Sequence, residues 1–297
     1  MKARFNIPFM KWRRVGLILS ATLTLISVVA WLTLDLNYSV DFTGGSLWTL
    51  RFEQPADEAD IRAAFAANGA GDAVVQRVES DQGYEFVVRA AAAGDAGREA
   101  IQQALREQVG EFTLVSLDDV SPVIGDVLRA NAAWALIVAV AGMLVYITIR
   151  FEWRFALTAV AGLVHDVLVV VGLFAVLRLP VDSTFVAAVL TIFGYSVNDT
   201  IIVYDRIREN MSRYRRGQVE DLVNDSVNQT LTRTINTGLT TLLAIAAIAL
   251  LGGETTRPLS VALIVGIIAG TYSSIFIASA LWVEWRLRID RRRQATA

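Results

Sequence analysis

The sequence predicts an α-helical polytopic membrane protein with six transmembrane helices and one α+β domain between the first and second helices. Three observations predict this fold: long apolar segments, a single long polar segment, and an uneven distribution of basic residues. The chain has 297 residues, of which 54% are hydrophobic and 19% are charged. Soluble domains carry about 25% charged residues. Long parts of this chain must therefore avoid water.

Six apolar segments are long enough to cross a bilayer, which takes about 17 to 25 residues of helix. We expect helices, because lipid offers no hydrogen-bond partner to open backbone groups. The first segment is longer than the apolar part of a signal peptide, about 7 to 15 residues, and is predicted to remain as an uncleaved span. The six segments are Val15–Leu34, Asn131–Ile149, Phe155–Leu177, Ser183–Tyr204, Thr234–Leu251 and Leu259–Val283.

The basic residues predict the orientation of these spans. If the amino terminus is cytoplasmic, the cytoplasmic segments hold 17 Lys and Arg residues, and the two short outer loops hold only Arg178 and Arg257. This asymmetry follows the positive-inside rule and predicts that both termini are cytoplasmic. We interpret the arginines of Arg206–Arg216 as a membrane anchor and not as a nucleic-acid site. The predicted divisions are a cytoplasmic tail (1–14), the first helix (15–34), a periplasmic domain (35–129), a five-helix membrane region (130–285) and a basic cytoplasmic tail (286–297).

The polar segment 35–129 predicts one small domain with its own core. Alternating apolar residues indicate strands, and apolar residues three or four apart indicate helices. The order strand, helix, strand, strand, helix, strand is that of a ferredoxin-like split βαβ unit. The strands are predicted at Ser46–Glu53, Ala73–Val78, Tyr84–Arg89 and Glu111–Leu117, and the helices at Glu58–Asn68 and Arg98–Val109.

The composition excludes several classes of function. The chain has no cysteine and a single histidine, His165, which excludes disulfides, thiolate metal sites and multi-histidine metal sites. The sequence contains no nucleotide-binding G-x-x-x-x-G-K-[ST] loop and neither a G-x-S-x-G nor an H-E-x-x-H motif. We therefore expect neither an enzyme nor a bound cofactor. Any work must draw on an ion gradient or on a partner.

Ionisable residues inside spans are costly and usually face a bundle interior or a water path. The third span contains His165 and Asp166, the fourth contains Asn198 and Asp199, and Arg233 begins the fifth. At 1.5 Å per residue, Asp166 lies near the midplane, whereas Asp199 and Arg233 share a level in the cytoplasmic half. A salt bridge can form there. We assign a proton-coupling role to Asp199, with Arg233 and Asn198, because asparagine in place of Asp199 would serve a purely structural role. For the His165–Asp166 pair, also a proton-coupling candidate, both roles stay open.

A polar stripe runs along the fifth span. Its members recur at helical spacing, fall on one helix face and predict the wall of a hydrated cleft. The alternative is that the hydroxyl and amide groups only bind neighbouring helices together. The members are Arg233, Asn236, Thr237, Thr240 and Thr241.

Four segments carry a resemblance to a known family. Asp41-Phe42-Thr43-Gly44-Gly45 is similar to a D-F-x-G-G signature. The other three are Val164–Val167, then Gly194–Thr200 followed by Tyr204–Asn210, and Ser226–Thr230 followed by Arg233–Thr237. Through them the sequence resembles the SecF family, the smaller subunits of the SecD–SecF protein-export accessory complex. We interpret Gly44 and Gly45 as structural, since glycine suits a tight strand entry. A contact role for the pair stays open.

The resemblance implies a member of the resistance–nodulation–division superfamily of proton-driven transporters, located in the cell inner membrane. It implies that SecD supplies six further spans and that Asp199 and Arg233 carry the proton-coupled step. The implied partners are SecD, the SecY–SecE–SecG channel and the exported preprotein. Our leading hypothesis is that the chain couples the proton gradient to late steps of protein export. Two alternatives are a passive scaffold for SecD or the channel, and a small-molecule efflux protein, which the single small outer domain disfavours.

Overall fold

The computed structural model describes residues 5–71, 73–78, 83–91, 93–215, 217–252 and 256–295. Residues 1–4 of the predicted amino-terminal tail and 296–297 of the predicted basic tail lie outside the described residues. Six helical segments in the described part are long and apolar enough to cross a membrane. The prediction of a polytopic α-helical membrane protein is confirmed at this level.

The chain enters the first span through a short 3-10 turn and then forms a small α+β domain. Four strands and two helices stand in the predicted order, each within a few residues of its predicted segment, whereas the short elements Asn37–Tyr38 and Val40–Thr43 were not predicted. The elements are the 3-10 turn Phe9–Trp12, α1 (Arg13–Leu34), β1 (Asn37–Tyr38), α2 (Val40–Thr43), β2 (Gly45–Phe52), α3 (Glu58–Ala67), β3 (Val74–Val78), β4 (Tyr84–Ala90), α4 (Asp95–Gln108) and β5 (Phe112–Val120).

The domain is a four-stranded antiparallel sheet with two helices packed on it. The strand order is β3-β4-β2-β5. Alternate residues of β2 are buried, from Ser46 to Phe52, and the ring of Trp48 meets Phe65 of α3 edge to face at 5.5 Å. Ile101 and Leu105 of α4 are buried in the same cluster. Both helices therefore cover one face of the sheet, and the domain has its own core.

The remaining five spans follow β5 directly. Helix α5 begins before the predicted span at 131, α8 begins well before Thr234, and the last helix continues through the predicted basic tail. The last span is not uniform, because a π-helical segment, Ser274–Ser279, interrupts it. The elements are α5 (Pro122–Arg150), α6 (Trp153–Leu177), β6 (Pro180–Val181), α7 (Ser183–Asn210), the 3-10 turn Met211–Arg213, α8 (Val219–Leu251), α9 (Arg257–Ser273) and α10 (Ala280–Ala295).

Small residues set the packing of the membrane helices. Gly266 and Gly270 form a G-x-x-x-G step on α9, the pattern that lets helix backbones approach closely. A Cβ built on Gly266 would lie 2.3 Å from Cδ1 of Ile192 on α7. A Cβ on Gly172 of α6 would lie 2.4 Å from Cβ of Ser27 on α1. These contacts leave no room for a larger side chain, so α7 packs closely against α9 and α1 against α6.

Candidate functional site

The carboxylate of Asp166 links three helices in the interior of the membrane region. Asp166 is 0% exposed. Its Oδ1 lies 3.0 Å from Nδ1 of His165 on the same helix. Its Oδ2 accepts hydrogen bonds from Ser196 Oγ on α7 at 2.6 Å and from Ser273 Oγ on α9 at 2.7 Å. Both oxygens are therefore satisfied, as a buried carboxylate requires.

The hydrogen bond from Ser273 to Asp166 forms at the point where the last span changes from α-helix to π-helix. Ser273 is the last residue of α9, directly before the π-helical segment. Within that segment Ser279 Oγ donates to the Ser274 carbonyl at 2.7 Å. Gly270 allows close approach, because a Cβ there would lie 2.9 Å from Cβ of Ser196. Short π-helical turns inside α-helices are frequent at functional sites, and this one borders the Asp166 cluster.

Asp199 has a different environment from Asp166, although it lies on α7 only one turn beyond Ser196. It is also 0% exposed. Neither of its carboxylate oxygens forms a hydrogen bond of normal geometry within the described part of the chain. The Thr271 hydroxyl is placed to act on the carboxylate as a weak hydrogen-bonding group, and the Arg233 guanidinium acts on it through its charge at longer range. An isolated buried carboxylate is expensive as an anion, so Asp199 is the poorly compensated acid of the pair.

Three helices meet beside Asp199. A Cβ built on Gly238 of α8 would lie 3.5 Å from the Tyr195 hydroxyl of α7 and 3.7 Å from Oγ1 of Thr271 on α9. The Tyr195 hydroxyl is buried, interacts electrostatically with Asp199, and forms no hydrogen bond of normal geometry with a described residue. A cluster of underbonded polar groups thus surrounds the acid. Such a cluster suits a group whose protonation changes.

The salt bridge between Asp199 and Arg233 that the sequence allowed is not formed. No nitrogen of Arg233 lies within 4.0 Å of an acid in the described residues. The Arg233 side chain is exposed and lines a groove of about 770 Å³ between α5, α7 and α8. The guanidinium is therefore near the acid and open to the groove at the same time.

The side chains of the predicted polar stripe on α8 have two kinds of environment: some line the groove, and the others bond to the backbone of α8. Asn236 and Thr237 line the groove with Arg233. Thr240 and Thr241 lie beyond it, and their hydroxyls donate to carbonyls of their own helix. Asn198 is adjacent to Asp199 in sequence, but its side chain lies on the exposed face of α7. The structure therefore brings Arg233, Asn236 and Thr237 together along one groove, whereas Asp199 is buried and does not line it.

The Asp41–Gly45 motif joins the α+β domain to the membrane region. Asp41 Oδ2 accepts hydrogen bonds from the backbone N–H of Ser183 at 3.0 Å and from its Oγ at 2.7 Å. Phe42 is buried in the membrane core. Gly45 has φ of 143° and lies where a Cβ would meet the Ala90 carbonyl at 2.6 Å. The glycine is required by backbone angle and space, and Asp41 is an anchoring residue.

Sequence reasoning missed three residues of these clusters: Thr271, Ser273 and Ser183. A signal for the first two was present, since Thr271-Tyr272-Ser273-Ser274 is a polar run inside an apolar span. Ser183 carries no such signal, because serine at a helix start is common. Among the described residues there is no group of three or more His, Asp or Glu residues that could hold a metal ion.

The comparisons with known proteins agree with the motifs. The model of the protein export membrane protein SecD/SecF C-terminal family matches residues 100–288, and the SecD/SecF GG motif matches residues 29–56. Protein translocase subunit SecF of Sebaldella termitidis is 40% identical over 279 residues, covering 93% of this chain and 91% of its own. This chain belongs to the SecF family. A SecF of Vibrio alginolyticus is 41% identical, with 95% and 90% covered.

Solved structures resemble this SecF-family chain over nearly its whole length. The crystal structure of SecDF from Thermus thermophilus, described as a translocon-associated membrane protein, gives a TM-score of 0.87 at 37% identity and covers 96% of this chain. SecDF in a super-membrane-facing form gives a TM-score of 0.76 at 38% identity and covers 100% of this chain. The SecF-family chain spans 39% and 41% of the length of those two chains.

Proposed function

We propose that this chain is the SecF-type subunit of an accessory complex for Sec-dependent protein export, in which it couples the proton gradient to a late step of export. Its partners would be SecD, the SecY–SecE–SecG channel and the exported preprotein. Support comes from relatives named protein translocase subunit SecF and from the similarity to part of a longer SecDF chain. The coupling itself is argued from the membrane site.

One observation carries the coupling proposal. Asp199 is fully buried and its carboxylate forms no hydrogen bond of normal geometry with a described residue, whereas both carboxylate oxygens of Asp166 are hydrogen-bonded. The free energy of a buried carboxylate without partners strongly favours the protonated form, and a close guanidinium favours the anion. Movement of Arg233 toward and away from Asp199 would therefore make the acid release and take up a proton. Transfer of one charge across 100 mV provides about 2.3 kcal/mol.

We assign the other predicted residues to supporting roles. The satisfied Asp166, with His165, would hold α6, α7 and α9 in register while Asp199 titrates. The polar residues of α8, among them Asn236 and Thr237, face a groove on the molecular surface. Polar groups facing lipid are unfavourable, so we propose that this face packs against spans of SecD and that the groove becomes the water path to Arg233.

The topology is part of the same proposal. The asymmetry of the basic residues supports two cytoplasmic termini in the cell inner membrane and an α+β domain in the periplasm. The domain boundaries at 35 and 129 are proposed with it, although α5 already begins at Pro122. The strand order β3-β4-β2-β5 with two helices on one face supports a ferredoxin-like domain.

The deciding experiment replaces Asp199 by asparagine in a complex reconstituted with SecD and the channel. Asparagine retains the shape of the side chain but cannot exchange a proton. We expect the gradient-dependent part of preprotein export to be lost, and the amount of SecD that co-purifies to be unchanged. Asp126→Asn is the control, since the Asp126 side chain is 79% exposed and does not line the groove that contains Arg233.

Two outcomes would contradict the proposal. Undiminished gradient-dependent export in the Asp199→Asn complex would remove the coupling role. A loss of export that follows a loss of co-purified SecD, in this variant or in Arg233→Leu, would favour the passive scaffold.

A further inference from the structure

A cavity of about 490 Å³ lies between the first turns of α6 and helix α10, and none of the residues of the Asp199 site lines it. Leu157, Ala161 and Leu281 line one part of it, and Trp285, Arg288 and Arg292 line another. Leu281 and Arg292 are eleven residues apart, so the cavity extends about 16 Å along the helix. One end is apolar and the other is basic.

Two tryptophans mark the level of this cavity relative to a bilayer. The ring of Trp285 meets that of Trp153 edge to face at 5.1 Å, and Trp153 is half exposed. Tryptophan is enriched at the membrane–water interface. Arg288 and Arg292 lie about one and two turns beyond Trp285. The basic end of the cavity therefore lies at the level of lipid headgroups, and the apolar end lies beside acyl chains.

The charge of the cavity is positive despite one acid. Glu284 also lines it, but its carboxylate pairs with Arg13 at 2.8 Å. Arg13 is shared with Glu220, also at 2.8 Å, so it compensates Glu284 only in part. The cavity stays positive because two arginines, Arg288 and Arg292, line it with a single acid. Arg288 is exposed and forms neither a hydrogen bond nor an ion pair within the described parts of the chain, although its charge acts on Glu284 at longer range. The entrance therefore presents an available guanidinium.

We propose that this cavity binds one anionic glycerophospholipid. The phosphate would lie between Arg288 and Arg292, because guanidinium groups bind phosphate oxygens in a bidentate manner. The proximal part of an acyl chain would lie along Leu157, Ala161 and Leu281. Basic pockets between membrane helices bind anionic headgroups in this way. The inference does not depend on proton coupling at Asp199.

The test uses the purified full-length chain in detergent, with lipid retention measured by native mass spectrometry. The probes are phosphatidylglycerol, phosphatidylcholine with the same acyl chains, and inorganic phosphate as a competitor. We expect one molecule of phosphatidylglycerol to be retained in preference to phosphatidylcholine. Arg288→Gln should weaken this retention about fivefold, the effect of one basic residue near an anionic lipid surface.

Two further variants distinguish binding in the cavity from a general effect of positive charge on lipid retention. Arg291→Gln removes the same charge from the same helix, but Arg291 does not line the cavity, so retention should be unchanged. Ala161→Phe fills the apolar end without altering charge and should reduce the retention of both lipids. Equal retention of the two lipids by the wild type, or equal losses in Arg288→Gln and Arg291→Gln, would overturn the proposal. Displacement of the lipid by equimolar phosphate would also overturn it, in favour of a site for the free anion.

Discussion

Asp41, in the turn before the α+β domain, accepts two hydrogen bonds from Ser183, the first residue of α7. Helix α7 also carries Ser196 and Asp199. Ser183 and Asp199 are sixteen residues apart, about 24 Å along the helix. The turn that begins the α+β domain is therefore attached to the helix that carries the buried acid.

The first prediction concerns this attachment. Asp41→Ala should lower the free energy of unfolding by about 0.5–2 kcal/mol, the range for loss of a helix-capping side chain. Thermal unfolding in detergent, followed by tryptophan fluorescence, measures the change. Asp126→Ala is the control, because Asp126 is largely exposed and its nearest cation, Arg129, is 3.9 Å away. Equal stability of the Asp41 and Asp126 variants would show that the attachment contributes nothing.

The second prediction separates the two buried acids. Asp166→Ala leaves His165, Ser196 and Ser273 without their common partner, and each unsatisfied buried group costs about 1–3 kcal/mol. Asp199→Ala removes a carboxylate whose two oxygens form no hydrogen bond of normal geometry with a described residue, and Thr271 is the hydroxyl placed to bond weakly to it. We expect a clear loss of stability for the first variant and a change within about 1 kcal/mol for the second. Denaturant titration of both variants in the same detergent tests this, and the opposite ranking would refute the assigned roles.

The third prediction concerns the close contact of α9 with α7. Gly270→Ala places a Cβ 2.9 Å from Cβ of Ser196, which must move the helices apart and strain the bond from Ser196 to Asp166. Overpacking of this kind costs about 1–3 kcal/mol. Gly194→Ala is the matched control on α7, because nothing lies within 4 Å of its Cβ. It should be neutral or stabilise by up to about 1 kcal/mol, since alanine favours helix. The melting temperatures of the two variants test this, and an equal melting temperature for both would contradict the prediction.

The fourth prediction is a pH dependence outside the membrane. Burial, followed by a short hydrogen bond to Asp225, raises the pKa of Tyr214 to about 12. The folded state therefore favours the neutral phenol, and this stabilisation is present below pH 10 and is lost as the pH rises toward 12. Wild-type stability should fall more steeply over this interval than that of Tyr214→Phe. Parallel curves for the two proteins would show that Tyr214 does not contribute.

Much of the fold follows from local patterns. The six spans and the order of elements in the α+β domain were predictable, because hydrophobic runs and periodicity are properties of neighbouring residues. The ends were less predictable: α8 begins at Val219, well before the apolar run that starts at Thr234. There the helix extends as an amphipathic segment, with Leu222 and Val223 buried and Glu220 partly exposed.

For the membrane site, too, one part was predictable from the sequence and another part was not. The high cost of burying charge in lipid made Asp166, Asp199 and Arg233 conspicuous from the sequence alone. Only the tertiary structure distinguished a fully bonded Asp166 from an underbonded Asp199, since the partners Ser196 and Ser273 come from other helices. It likewise placed Ser183 beneath Asp41 and Arg288 at the entrance of a cavity. Such pairings depend on which helix faces meet, and small residues such as Gly270 set that through packing between segments distant in the chain.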